Sequence, residues 1–144
     1  MYTSVLNSGR VGVWDKAGMA TSMLCILHCI LTPVLAASLP ILAATEQGTH
    51  IGLTLALMMI GLLAFIPGYR KHGRRSMVLL GVIGFTLLCS AVILPEGISS
   101  EAVEMALTMI GGGFLIVAHM SNLYFCKACS VCGQRPCVAA RSLR

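Results

Sequence analysis

The chain carries very little charge: only 10% of its 144 residues are Asp, Glu, Lys or Arg, against roughly a quarter in a soluble globular chain. With 57% of residues hydrophobic, such a surface cannot be kept wet, which excludes a soluble domain and leaves lipid as the solvent. Aromatic residues are scarce, at 6%, and do not interleave with the basic ones, so the net charge of +5 does not describe a nucleic-acid face. The sequence also lacks an ATP-binding glycine loop, an internal repeat and a low-complexity tract. Nor is there a polar, loop-rich body for the seven cysteines to staple. That removes the disulfide scaffold and leaves metal ligation or redox chemistry as the use of the thiols.

What is present is a series of apolar runs. An uncharged run from Ala17 to about Thr45 follows a polar start containing Arg10, Asp15 and Lys16. It is longer than a hydrocarbon core of roughly 30 Å requires, so it is expected to tilt or kink, with Pro33 and Pro40 supplying the kinks. Ala36-Ala37-Ser38 raises the rival reading of a cleaved signal peptide. Against it, the run exceeds the apolar region of about 7–15 residues in such a signal and contains a histidine. Further runs end at Pro67-Gly68, at Pro95 and near Phe125. The expectation is an all-α integral membrane four-helix bundle over residues 1–125, with spans at about 17–45, 51–66, 76–94 and 102–125. A basic, cysteine-rich tail of residues 126–144 follows.

Orientation comes from the basic residues, which are retained on the cytoplasmic side of short loops. With both termini cytoplasmic, all ten Lys and Arg fall inside, including the cluster Arg70, Lys71, Arg74 and Arg75. Glu46, Glu96, Glu101 and Glu104 then fall outside, on a face that attracts cations. This arrangement implies a multi-pass membrane protein, with the lipid bilayer as its first partner.

The most informative stretch is Cys25-Ile26-Leu27-His28-Cys29. Positions i, i+3 and i+4 share a helix face, so Cys25, His28 and Cys29 are expected on one side of the bundle, about 13 Å into the membrane as counted from Lys16. Thiolate and imidazole together suit mercuric, cuprous or zinc ions. A single membrane cysteine is ordinarily packing, but ionisable groups at this depth are expensive and tend to be functional. Pro33 lacks the amide that would bond the Cys29 carbonyl, which leaves an oxygen near the site. In the fourth run Glu101, Glu104, Thr108, Gly111, Gly112, His119, Asn122 and Cys126 lie close to one face. His119, about 12 Å deep as counted from Lys127, is expected to meet Cys25 and His28.

Beyond the last span, Cys126, Cys129, Cys132 and Cys137 form a dense group beside Lys127 and Arg135, expected to be reduced and able to accept metal. A structural zinc knuckle is the alternative. Gly111 to Gly113, the methionines and Cys89 are read as packing, and His50 and His72 as interfacial residues.

The order Asp15-Lys16-x-Gly18, Ser22, Leu24-Cys25, His28-Cys29 and Pro33, with four runs and a cysteine-bearing tail, resembles the MerC family of bacterial mercuric-ion uptake proteins over roughly residues 14–137. The resemblance implies an inner-membrane four-helix protein whose membrane cysteine pair receives mercuric ion and whose tail cysteines pass it to a cytosolic acceptor. Cys25 and Cys29 occupy the place of that pair, here as Cys-x-x-His-Cys, and the extra imidazole also suits zinc or copper. The function expected is therefore transport of a soft or borderline metal ion, with no permanent cofactor and no enzymatic step. The enzyme alternative, a membrane thiol oxidoreductase, needs a redox pair on the outer face, and no cysteine lies in an outer loop.

Overall fold

The computed structural model describes the backbone of residues 2–36, 40–94 and 100–132, and the side-chain surroundings of residues 12–35, 47–94 and 100–129. Four helices follow one another: α1 (Tyr2–Ala36), α2 (Pro40–His72), α3 (Arg75–Ile93) and α4 (Glu101–Cys132). Each contains a stretch long and apolar enough to cross a membrane: Gly12–Leu35, Gln47–His72, Arg75–Ile93 and Glu101–Cys129. The chain is thus an all-α, multi-pass membrane protein, a bundle in which α4 packs against all three other helices.

The helix limits differ instructively from the apolar runs. The first run is divided: α1 ends at Ala36 and Pro40 opens α2, a position where proline's missing amide costs nothing. Pro33, by contrast, lies inside α1. Pro67 does not end α2, which continues through it to His72 and stops where Gly73 takes a positive φ of 68°. α4 likewise runs past Phe125, so Cys126 and Cys129 stand on the helix itself rather than in a separate tail. Its first turn carries Glu101 and Glu104, where carboxylates oppose the positive helix end.

The interior is narrow. Cys25, Leu57, Leu88 and Leu115 form its apolar centre, with Leu53, Phe65 and Phe85 against it. Most large apolar residues point outward instead, with Val34 69% and Ile93 76% exposed, as befits a surface solvated by acyl chains. α3 and α4 approach closely at Gly84 and Gly111. A Cβ on Gly84 would come within 2.9 Å of the Gly111 carbonyl oxygen, and one on Gly111 within 3.0 Å of that of Gly84. An apolar groove of about 630 Å³ runs between α2 and α3 past Gly61, Phe65 and Phe85.

Candidate functional site: two polar clusters inside the bundle

The inward face of α1 is a repeat of buried positions at helical spacing: Asp15, Gly18, Ser22, Cys25, Cys29 and Thr32. Its counterpart on α4 runs antiparallel through Thr108, Gly111, Gly112, Leu115, Ala118, His119, Asn122, Cys126 and Cys129. Two polar clusters form where these faces meet side chains of α2, one toward the end marked by Glu101 and Glu104 and one toward the end marked by Arg70–Arg75.

The cluster toward the acidic end contains the thiol pair. Cys25 and Cys29 are 2% and 4% exposed and hydrogen-bond one another. Cys29 Sγ lies 3.5 Å from His50 Nε2 on α2 and within reach of the Thr108 hydroxyl on α4. His28 does not join the thiols directly. Its ring turns to the Thr32 hydroxyl, at 3.3 Å from Nδ1, and meets His50 edge to face with centroids 5.2 Å apart. Thr32 also donates to the His28 carbonyl at 2.8 Å. His50, read from the sequence as interfacial, is therefore the histidine beside Cys29. The span expected from the sequence begins at Ile51 and leaves His50 just outside it, whereas the membrane-spanning stretch of α2 begins at Gln47.

The cluster toward the basic end is built around Asp15, which is fully buried. His119 Nδ1 donates to one of its oxygens at 2.9 Å, and Asn122 Nδ2 donates to both, at 3.0 and 2.9 Å. Asn122 Nδ2 also reaches the Ala64 carbonyl at 3.2 Å. The Arg74 amide donates to His72 Nδ1 at 3.1 Å, so the proton of that ring sits on Nε2 and is donated to Asn122 Oδ1 at 3.0 Å. A carboxylate, an amide and two imidazoles from α1, α2 and α4 are thus joined in one buried network. Phe65 stacks on His119 at 4.5 Å between centroids, and Arg74 covers the ring of Phe125 at 4.3 Å.

Two glycines make room for it. A Cβ on Gly18 would overlap the His119 imidazole, and one on Gly68 would overlap the Asn122 amide. The passage of α2 through Pro67 thus brings Gly68 and His72 to the network, although the sequence placed His72 in the basic loop. Asp15 stands out in the sequence only through the motif Asp15-Lys16-x-Gly18, although its spacing to Gly18, Ser22 and Cys25 extends the thiol face by nearly three turns.

Of the site residues expected from the sequence, the structure brings Cys25 and Cys29 together and sets His28 beside them through His50. His119 is not at that pair: it abuts Gly18, about two turns nearer the basic end. Cys126 is buried beneath Asn122, its thiol 4.0 Å from Oδ1. Cys129 is disulfide-bonded, contrary to the reduced state expected, and so is no ligand until reduced; its partner lies outside the described residues. The Cys132 side chain and all of Cys137 also lie outside them. Cys25, Cys29 and Cys89 are free thiols, and Cys126 is not disulfide-bonded. Among the described residues no three His, Cys, Asp or Glu side chains form a ready-made metal cage.

An apolar bundle that encloses a thiol pair and a buried polar network defines a small multi-pass membrane protein. The family model for the MerC mercury resistance protein matches residues 15–124, and the chain belongs to the MerC family. The match begins at Asp15 and takes in Cys25, Cys29, His119 and Asn122, stopping short of Cys126. Comparison with curated proteins and with solved structures finds no match.

Proposed function

We propose that this protein carries mercuric ion inward across the bacterial cytoplasmic membrane, with both termini and the Arg70–Arg75 loop inside and Cys25 and Cys29 as the ligands in mid-membrane. The observation that carries the reading is the pair of buried thiols in mutual contact. A soft dication is satisfied by two thiolates, so the absence of a third converging ligand is no obstacle. Binding replaces the two thiol protons by one dication, which leaves the buried site neutral. That spares the bundle the cost of an unpaired charge in a medium of low dielectric. Stepwise exchange of one thiolate for another then moves the ion without ATP, toward Cys126 and, once Cys129 is reduced, the cysteines beyond it, and from there to a cytosolic thiol acceptor.

A second reading, transport of zinc or copper(I), draws on His50 at 3.5 Å from Cys29, because a nitrogen ligand beside thiolates suits those ions. Uptake of labelled mercuric, zinc and cuprous ions by cells expressing the chain separates the two. Cys25→Ser and Cys29→Ser are expected to reduce mercury uptake to background, and His50→Ala to leave it largely intact. Parent-like mercury uptake by both serine variants would sink the reading. Reporter fusions after Arg144 test orientation, and periplasmic activity there would reverse it.

A further inference from the structure

We infer that His119, oriented by Asp15, is a second station for the transported cation: an imidazole Nε2 ligand midway between the thiol pair and Cys126. The inference rests on the reading of Cys25 and Cys29 as the first site.

The hydrogen bonding fixes the chemistry of the ring. Three donor contacts, one from His119 Nδ1 and two from Asn122 Nδ2, converge on the Asp15 oxygens, so Nδ1 carries the proton and the lone pair is left on Nε2. His119 is fully buried, and Nε2 has no hydrogen-bond partner in the structure. A buried acceptor left empty costs free energy, about 1–3 kcal/mol. Nothing in packing requires a nitrogen there. A carboxylate behind a histidine is also the arrangement that holds an imidazole in the ligating tautomer and orientation.

A second buried polar atom without a partner lies on the same route. The Ser22 hydroxyl stands on α1 between Gly18, which faces the imidazole, and Cys25. Ser22 Oγ and His119 Nε2 are thus both buried side-chain atoms without a hydrogen-bond partner.

Distance supplies the need for a station. Gly112 packs against Ser22 and Ile26, so Cys25 stands level with that turn of α4. From there to Cys126 is about 21 Å along the helix, far beyond direct exchange between two sulfurs, so ligands are needed in between; His119 stands at the midpoint and the Ser22 hydroxyl on the leg nearer the thiols. Affinity runs the right way as well. An imidazole holds a soft cation more weakly than a thiolate pair does, so the station passes the ion on rather than trapping it.

The test uses the full chain in cells and in lipid nanodiscs, with mercuric ion as the probe. His119→Phe keeps the ring volume and the stack on Phe65 but removes both nitrogens. It is expected to load the thiol pair with the stoichiometry of the parent, yet to take up mercuric ion at least about tenfold more slowly. His119→Cys places a thiolate at the station and is expected to slow release of bound mercuric ion to an external thiol. Uptake by His119→Phe at the parental rate overturns the inference. Should that variant fail to accumulate, the nitrogen-15 resonance of His119 Nε2 decides it, in protein whose Cys126, Cys129, Cys132 and Cys137 are replaced by serine. A shift on adding a second equivalent of mercuric ion supports the station, and an unmoved resonance overturns it. Failure of the thiol-pair reading shows separately, as parental uptake by Cys25→Ser and Cys29→Ser.

Discussion

The two polar clusters of the bundle are built on opposite principles. Toward the acidic end, Cys25 and Cys29 are held by weak contacts, with the nearest imidazole at 3.5 Å. Toward the basic end, Asp15, His72, His119 and Asn122 are locked by hydrogen bonds of 2.9–3.0 Å from three helices. Weakly held thiols can exchange a hydrogen for a metal ion at little structural cost. A saturated carboxylate network cannot be disturbed without leaving a charge uncompensated in the membrane. The thiol end is therefore suited to ligand exchange and the Asp15 carboxylate to holding the helices in register, and substitutions at the thiols and at Asp15 should separate function from stability.

The largest effect is expected at Asp15. Asp15→Ala removes the acceptor shared by His119 and Asn122 and leaves their buried donors unsatisfied, at about 1–3 kcal/mol for each, read as loss of folded protein in the membrane or as a lowered Tm in detergent. Parental stability for that variant would mean the network is ornamental. Asn122→Ala comes next, because it strips donors from Asp15 and the acceptor from His72, at about 1–3 kcal/mol. Gly18→Ala drives a methyl into the space of the His119 ring and should cost about 1–3 kcal/mol, measured in the same way. Smallest is the effect of Cys25→Ser or Cys29→Ser on stability, about 1 kcal/mol or less, since a serine hydroxyl in a helix can bond the carbonyl one turn back as Thr32 does. Those two substitutions should nonetheless abolish metal binding in the bilayer. A serine variant that fails to fold would erase the distinction between the clusters.

The four spans and the inward thiol face were legible because apolar length and a repeat of three and four residues are properties of one helix at a time. The level at which helices meet is not. Lys16 and Lys127 served as depth marks, which put Cys25 and His119 at matching depth, yet Asp15 lies opposite Asn122, and Lys127 is more than a turn farther along α4. A lysine can snorkel to the interface from several positions, so it marks a membrane boundary only loosely. His72 was missed because Pro67-Gly68 reads as a helix end. The bundle instead uses Gly68 to admit the Asn122 amide and carries α2 on for another turn. The MerC family match begins at Asp15, inside the network that periodicity alone passed over.

The central claim, that a cation is held in the bilayer by Cys25 and Cys29, is tested most directly by X-ray absorption at the mercury edge. The sample is protein in nanodiscs with Cys126, Cys129, Cys132 and Cys137 replaced by serine, loaded with one equivalent of mercuric ion. A first shell of two sulfur atoms, lost when Cys25 and Cys29 are also replaced by serine, is the predicted result. A shell of oxygen or nitrogen alone, or a two-sulfur shell that survives loss of both cysteines, would contradict the account.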